Sequence, residues 1–500
     1  MSSDLSAWKG PLSVDDPSAV QALRDALVAA KFDEESVRAA LDAGGDLLVR
    51  AGEEPLLQRR LRDKGPLGTI IGLFILDLPL PIGEVNRALK PFGVDHLEKL
   101  GLVETGAGQA WTTVRLVPHG SLLLVSDRSG AGRDYLPEHV AGVHPASVTL
   151  ANLTVRRPVE TALDIGTGSG VQAIYASRHC QRVVATDLSE RALNFTAFNA
   201  LLNGAGNLEL RQGSFFEPVA GEQFDLLACN PPFVISPDTA YLFRDSGLDG
   251  DTVSRNLVQT APGSLTEGGF ATMLVSWTHP PTEEWSSKLR EWLAGSGCDA
   301  LLLHYGTEDP LSHIGNWTFD RYGPDPVEFD AVITRWLDYL NRLGIEGVAY
   351  GGVVLRRREA GPNWVLEYEL PPPSHGPAGE QIGRVFETQD YLRSIANEDV
   401  LLDTRFRVAE AARVEQRVVL RDTRWIAEAV TIKLSGGLGF DAAIDPPTAQ
   451  FLAALDGERT LAEVTAAIAE RKKQDPTATA HASLPVIRGM LELGFVVPVR

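Results

Sequence analysis

Cysteine and methionine are scarce, three of each in 500 residues. The cysteines, Cys180, Cys229 and Cys298, show no Cys-x-x-Cys spacing. That suggests neither a zinc site nor a disulfide framework and suits a reducing compartment. Positive charge is short as well: 46 Lys and Arg face 66 Asp and Glu, for a net charge of −20 at pH 7. Nucleic-acid binding draws much of its affinity from Lys and Arg neutralising phosphates. The central region from His144 to Ala300 also carries more acidic than basic residues, which tilts the expectation toward a protein or small-molecule partner. Long apolar runs are missing. The most apolar stretch, Leu67–Leu80, contains Asp77 and is too short to span a bilayer. Residues Met1–Gly10 lack a basic segment followed by an apolar core, so no signal peptide and a cytoplasmic location are expected. The remaining composition, 44% hydrophobic and 22% charged, is that of an ordinary globular protein, and the length predicts two to four domains.

What is present is a three-part pattern. A predicted strand, Glu160–Ile165, runs into Gly166-Thr167-Gly168-Ser169-Gly170 and then a predicted helix, Val171–Arg178. Glycine permits a sharp turn and close approach of a ligand, and the helix N-terminus offers free N–H groups. Alone, such a turn is weak, because a dinucleotide fingerprint would want Gly-x-Gly-x-x-Gly. The second part is Asp187, closing the strand Arg182–Asp187. A carboxylate at the carboxyl edge of a parallel sheet suits the two hydroxyls of a ribose, though it would equally cap the helix Arg191–Asn203 that follows. The third part is Asn230-Pro231-Pro232-Phe233 after the strand Phe224–Cys229. Two prolines lock the backbone and remove two donors, leaving the Asn230 side-chain oxygen and the Pro231 carbonyl as acceptors for a planar –NH₂ group, with Phe233 to stack on it.

These residues resemble the class I S-adenosylmethionine-dependent N-methyltransferases of the (Asn/Asp)-Pro-Pro-(Phe/Tyr) group. That group includes release-factor glutamine methyltransferases and rRNA guanine-N2 methyltransferases. The resemblance covers roughly residues 144–358. It implies an α/β fold: a Rossmann-like seven-stranded sheet with helices on both faces. It further implies S-adenosylmethionine as cofactor, lined by Asp164, Gly166, Thr167, Gly168, Gly170, Asp187, Leu188, Ser214, Phe215 and Asn230. Asn230, Pro231, Pro232 and Phe233 would hold the acceptor nitrogen, with Asn230 as an orienter and no general base. The acceptor expected is a glutamine side chain in a protein. An RNA or DNA base is the alternative, and a non-catalytic binding protein of this fold the second. No metal is expected, since His304 and His313 do not make a site on spacing alone.

The flanks are less informative. Helical spacing over Pro17–Gly44, short helices at Gly83–Leu89 and Val94–Leu100, and strands at Ala110–Val117 and Ser121–Ser126 suggest a winged-helix-like module over residues 1–130. Val94–Leu100 is no Lys/Arg-rich recognition helix, which favours substrate docking over DNA reading. The methyltransferase domain is expected over 131–360. Within it lie His144, on a loop before the core, and a loop with Asp249-Gly250, similar to that of glutamine methyltransferases. The long stretch Gly306–Pro326 carries His313, Trp317, Phe319, Arg321 and Tyr322 and reads as an irregular wall of the acceptor site. A linker at Pro371–Pro377 leads to a C-terminal α+β module over 380–500, a second winged-helix-like unit in outline.

Overall fold

A computed structural model describes residues 5–42, 53–128, 135–370 and 376–499. Two compact units emerge from its contacts, one of Met1–Ala151 with Arg157–Glu369 and one of Asn152–Arg156 with Leu370–Arg500.

The first unit is built on a central sheet. In chain order its elements are β1 (Val159–Ile165), α1 (Val171–Ala176), β2 (Cys180–Asp187), α2 (Glu190–Asn203), β3 (Leu208–Gln212), β4 (Phe224–Cys229), α3 (Thr252–Thr260), β5 (Leu265–Thr278), α4 (Ser287–Leu293), β6 (Cys298–Glu308), α5 (Pro310–Tyr322), α6 (Pro326–Arg342), β7 (Val348–Arg357) and β8 (Val365–Glu369). The strands run in the order β8-β6-β7-β5-β4-β1-β2-β3. From β5 to β3 all neighbours are parallel, while β7 lies antiparallel to both β5 and β6. Near-continuous Val, Leu and Ala runs suit strands buried on both faces, and Val183, Val184 and Ala185 of β2 are fully buried.

Strand order reverses between β1 and β4, and ligands of open α/β sheets bind beyond the carboxyl ends of the strands at such a point. Ile165 pairs with Cys229 there, so Gly166 and Asn230 leave the sheet side by side.

The sheet has eight strands, not the expected seven. The extra strand, β8, pairs parallel with β6. Buried Asp299 on β6 explains its return: the carboxylate accepts from Arg356 at 2.7 Å and from the Trp364 backbone N–H at 3.2 Å, which draws the segment before β8 onto the sheet edge.

The N-terminal elements differ from expectation in register. The Pro17–Gly44 helix is two, Pro17–Ala29 and Glu34–Leu41, capped by Asp16 and Asp33, and its end lies outside the described residues. The short helices are found at Ile82–Ala88 and Val94–Lys99. The strand expected over Ala110–Val117 is interrupted at Thr113, whose backbone N–H turns to the Leu102 carbonyl. Gln109–Thr112 pairs with Val103–Gly106 and with Leu80–Pro81, whereas Val114–His119 pairs with Leu122–Asp127 in a separate hairpin.

That hairpin is stitched to α2. The Asn199 amide donates to Val125 O at 2.7 Å and accepts from Val125 N at 2.8 Å, and Asn203 does the same with Leu123 at 2.7 and 3.0 Å. Asn194 makes the equivalent pair with Leu12. Three asparagines on one helix thus satisfy backbone that would otherwise be buried unpaired.

In the second unit, helix Gly379–Ser394 and helices Leu461–Lys472 and Pro476–Glu492 accompany two three-stranded sheets. They share a core around Phe406, Ile432, Leu461, Ile487 and Phe495. Most of the predicted linker, residues 371–375, lies outside the described residues. Among the described residues no helix is long and apolar enough to cross a membrane, and no group of three or more His, Cys, Asp or Glu is placed to hold a metal ion.

Candidate functional site

The glycine turn after β1 is made by backbone. Gly166, at φ 68°, and Gly168, at φ 57°, are both left-handed, a region that costs other residues a strain. A Cβ on Gly168 would meet no protein atom within 4 Å, so the turn presents bare backbone to open space. Buried Asp164 holds the turn from beneath. Its Oδ2 accepts from the Thr167 hydroxyl at 2.7 Å and from the Ala173 N–H, in the first turn of α1, at 3.0 Å. Burial pushes this carboxyl up to about 7, against the pull of both hydrogen bonds. Asp164 therefore acts here as a brace of the loop.

Asp187 ends β2 beside the turn. Its Oδ2 accepts from the Gly168 N–H at 2.9 Å and its Oδ1 from the Ser189 N–H at 2.9 Å. Burial raises its pKa, with backbone hydrogen bonds from Ser189, Gly168 and Leu188 opposing. The helix-cap role falls to Ser189, which accepts from Ala192 N–H, so Asp187 is not the N-cap of α2. Leu188 is exposed at the rim (55%). Ser214 and Phe215 follow β3. Phe215 is a non-glycine residue at φ 45°, and its carbonyl accepts from the Thr186 hydroxyl at 3.5 Å. Strained backbone of this kind persists where the surroundings over-determine it, commonly at ligand sites. The structure therefore gathers the glycine turn, Asp187 and Ser214-Phe215 at the ends of three adjacent strands. A bare-backbone turn beside a carboxylate at the end of the neighbouring strand fits a nucleoside with ribose hydroxyls.

Asn230 stands next to this turn, its carbonyl 4.0 Å from where a Gly166 Cβ would be. Its side-chain Oδ1 is buried and has no hydrogen-bond partner in the protein. A buried acceptor left unsatisfied costs roughly 1–3 kcal/mol, and such atoms in native structures call for a donor from elsewhere. Pro231 is buried and Phe233 half-buried. The Phe233 ring meets Trp317 and Tyr350 edge-on, each at 6.4 Å between centroids, and the Phe233 carbonyl accepts from the Ser276 hydroxyl of β5.

The stretch expected to be an irregular wall, Gly306–Pro326, is mostly helix α5. The Asp309 carboxylate accepts from Leu311 and Ser312 N–H, and Pro310 occupies the first turn. Asp before Pro is a start signal for a helix, and the aromatic residues of the stretch follow from it. His313 and Trp317 lie four apart on one face and turn inward, while Phe319 stays exposed (60%). With α6 they form a second core beneath the acceptor loop, of Val234, Ile235, Ile314, Trp336, Leu340 and Val348. Tyr350, on β7, is the residue that sequence reading missed. Its hydroxyl meets His313 Nδ1 and accepts from Trp317 Nε1 at 2.9 Å.

The Asp249-Gly250 pair has a local structural role. The Asp249 carbonyl takes the Thr252 N–H and hydroxyl at the start of α3, and the Gly250 N–H donates to the Tyr339 hydroxyl at 3.0 Å. His144 precedes helix Pro145–Leu153, its carbonyl accepting from Val148 N–H.

Residues 140–292 match the family described as Methyltransferase small domain, and residues 29–114 and 383–498 match two domains of unknown function. Over 241 residues the chain is 36% identical to a release factor glutamine methyltransferase of Xylella fastidiosa, covering 40% of this chain and 86% of that protein. It is 31% identical over 184 residues to a ribosomal protein uL3 glutamine methyltransferase of Bradyrhizobium diazoefficiens, covering 33% of this chain and 57% of that one. A solved S-adenosylmethionine-dependent methyltransferase from Thiobacillus denitrificans, in complex with S-adenosylhomocysteine, aligns at 20% identity and a TM-score of 0.26, over 45% of this chain and 94% of that one.

Proposed function

Because this chain belongs to the family of release factor glutamine methyltransferases, we propose that it transfers a methyl group from S-adenosylmethionine to the side-chain amide nitrogen of a glutamine in a protein. The observation that carries the reading is the orphaned Asn230 Oδ1, a buried acceptor beside the glycine turn. Asp187 would hold the ribose, Gly166–Gly170 would pass under the methionine end with Thr167 braced by Asp164, and Ser214-Phe215 with Leu188 would border the adenine.

When bound, the cofactor supplies a sulfonium-activated methyl carbon, already a good electrophile. The chain's task is then alignment. Asn230 Oδ1 and the Pro231 carbonyl accept the two amide hydrogens of the incoming –NH₂, and Phe233, boxed by Trp317 and Tyr350, limits where the amide plane can lie. Fixing the two reactants at attack distance removes a large part of the barrier. No strong base is needed, because the nitrogen becomes acidic as it is alkylated and loses its proton afterwards. His313 does not serve as one: both ring nitrogens are engaged, and burial pushes its pKa down to about 4.

A protein acceptor is favoured over a nucleobase by the acidity of the chain, and the relatives are named for protein glutamines. In this reading the N-terminal module, winged-helix-like in our proposal, docks the substrate protein, and the site of action is cytoplasmic. Incubating purified protein with radiolabelled S-adenosylmethionine and cell extract, then digesting parallel samples with protease and nuclease, tests it. Label that protease releases, and that acid hydrolysis traces to methylated glutamine, supports the proposal. Label released by nuclease points to an RNA or DNA base instead, and absence of any label points to a binding protein.

A further inference from the structure

The acceptor loop is held by a polar chain outside the three sequence motifs. His313, wholly buried on α5, reaches the carbonyl of Ile235 through Nε2 at 2.8 Å. A carbonyl can only accept, so Nε2 carries the proton, and in the neutral ring Nδ1 must accept. The partner of Nδ1 is the Tyr350 hydroxyl, which therefore donates to it and in turn accepts from Trp317 Nε1–H. Glu308 lies alongside, one carboxylate oxygen accepting from Asn316 at 2.7 Å and the other 3.9 Å from His313 Nδ1. Tyr350 and Trp317 are also the two aromatic neighbours of Phe233. One set of side chains thus fixes both the ring of Phe233 and the backbone two residues beyond it. The hydroxyl of Ser276, the β5 residue paired across the sheet with Tyr350, donates to the Phe233 carbonyl.

We propose that His313 is a positioning residue for methyl transfer, a strut from α5 that sets the acceptor loop, with Tyr350 and Trp317 fixing the strut. The chemistry rests on the reading given above, whereas the strut itself does not. Burial of the imidazole keeps it neutral, so the tautomer that the chain requires persists across the physiological range.

Three full-length variants test it, His313→Ala, His313→Gln and Tyr350→Phe. Each is measured for kcat and KM toward the protein acceptor, for Kd of S-adenosylhomocysteine, and for amide hydrogen exchange at residues 233–236. His313→Ala is expected to lower kcat at least tenfold, to leave the Kd within twofold and to speed exchange in that segment. His313→Gln, which keeps an N–H within reach of Ile235, recovers most of both losses, and Tyr350→Phe falls between. A folded His313→Ala enzyme with unchanged kcat and exchange overturns the proposal, as does a Gln variant no better than Ala. A Kd that weakens in parallel with kcat overturns it too, because a general loosening of the fold would do that. Should His313→Ala not fold, Tyr350→Phe, which conserves the ring, decides: unchanged exchange and kcat reject the strut. Exchange needs no acceptor. A wild-type protein that methylates nothing would therefore refute the functional reading while the exchange data still judge the strut.

Discussion

The two halves of the sheet's carboxyl edge are built from different material. On the β1–β3 side the proposed binding surface is backbone: glycines in left-handed conformations and N–H groups gathered by the carboxylates of Asp164 and Asp187. On the β4–β7 side it is side chains: the Asn230 amide, the Phe233 ring, and the Trp317, Tyr350 and His313 assembly behind them. A backbone surface demands particular residue types at fixed short spacing and recognises a constant ligand. A side-chain surface can be assembled from distant segments and varied with the acceptor.

The sharpest way to break that division is to remove its acceptor atom. Asn230→Ala should lower single-turnover methyl transfer by about 100-fold or more, the scale expected when a reacting group is misplaced by an ångström, while S-adenosylhomocysteine binds as before in calorimetry. The reverse pattern, lost affinity with intact turnover, would merge the two halves into one cofactor site. Asp187→Ala should show that reverse pattern on its own side. Losing a charged hydrogen bond of about 1.5–3 kcal/mol weakens Kd roughly 10- to 150-fold, with kcat at saturation nearly unchanged. An unaltered Kd would remove Asp187 from the ribose.

The halves were unequally legible in the sequence. The glycine turn, Asp187 and Asn230–Phe233 could be read because each is a local pattern at a strand end, and strands β3 and β4 fall at the predicted Leu208–Gln212 and Phe224–Cys229. Tyr350 carries no local signal: it lies 37 residues from His313 and meets it only because β7 folds back beside α5. Helix α5 was hidden by aromatic and small residues that suggest a loop, although Asp309-Pro310 marked its start. β8 escaped notice because its pairing depends on buried Asp299, a charge whose partners come from elsewhere in the chain. The hairpin at residues 114–127 was placed correctly in outline, but its attachment to α2 needed Asn199 and Asn203, polar residues that sequence reading leaves on a helix surface.

Smaller effects sharpen the comparison. Asn199→Ala strands the backbone of Val125 and the carbonyl of Ser169 in a buried setting, a loss of roughly 2–4 kcal/mol in denaturant unfolding, with turnover per folded molecule retained. A matching loss of turnover would mean that the hairpin acts on the site. A last effect is on pH. The folded pKa of Asp164, about 7, lies above its unfolded value near 3.8, so the native state binds the extra proton between them. Its contribution is complete below pH 4 and is lost as pH rises through 7. Relative to Asp164→Asn, the ligand-free wild type should therefore lose stability between pH 5 and 8, measured by denaturant midpoints. A difference independent of pH would show that the carboxyl is ionised throughout.

The most direct test is a crystal structure with S-adenosylhomocysteine and a glutamine-containing peptide. The arrangement predicts the glutamine amide nitrogen at about 3 Å from Asn230 Oδ1, on the same side as the cofactor sulfur. An Asn230 oxygen still unpartnered in that complex, or satisfied by the protein's own chain, would contradict the central assignment.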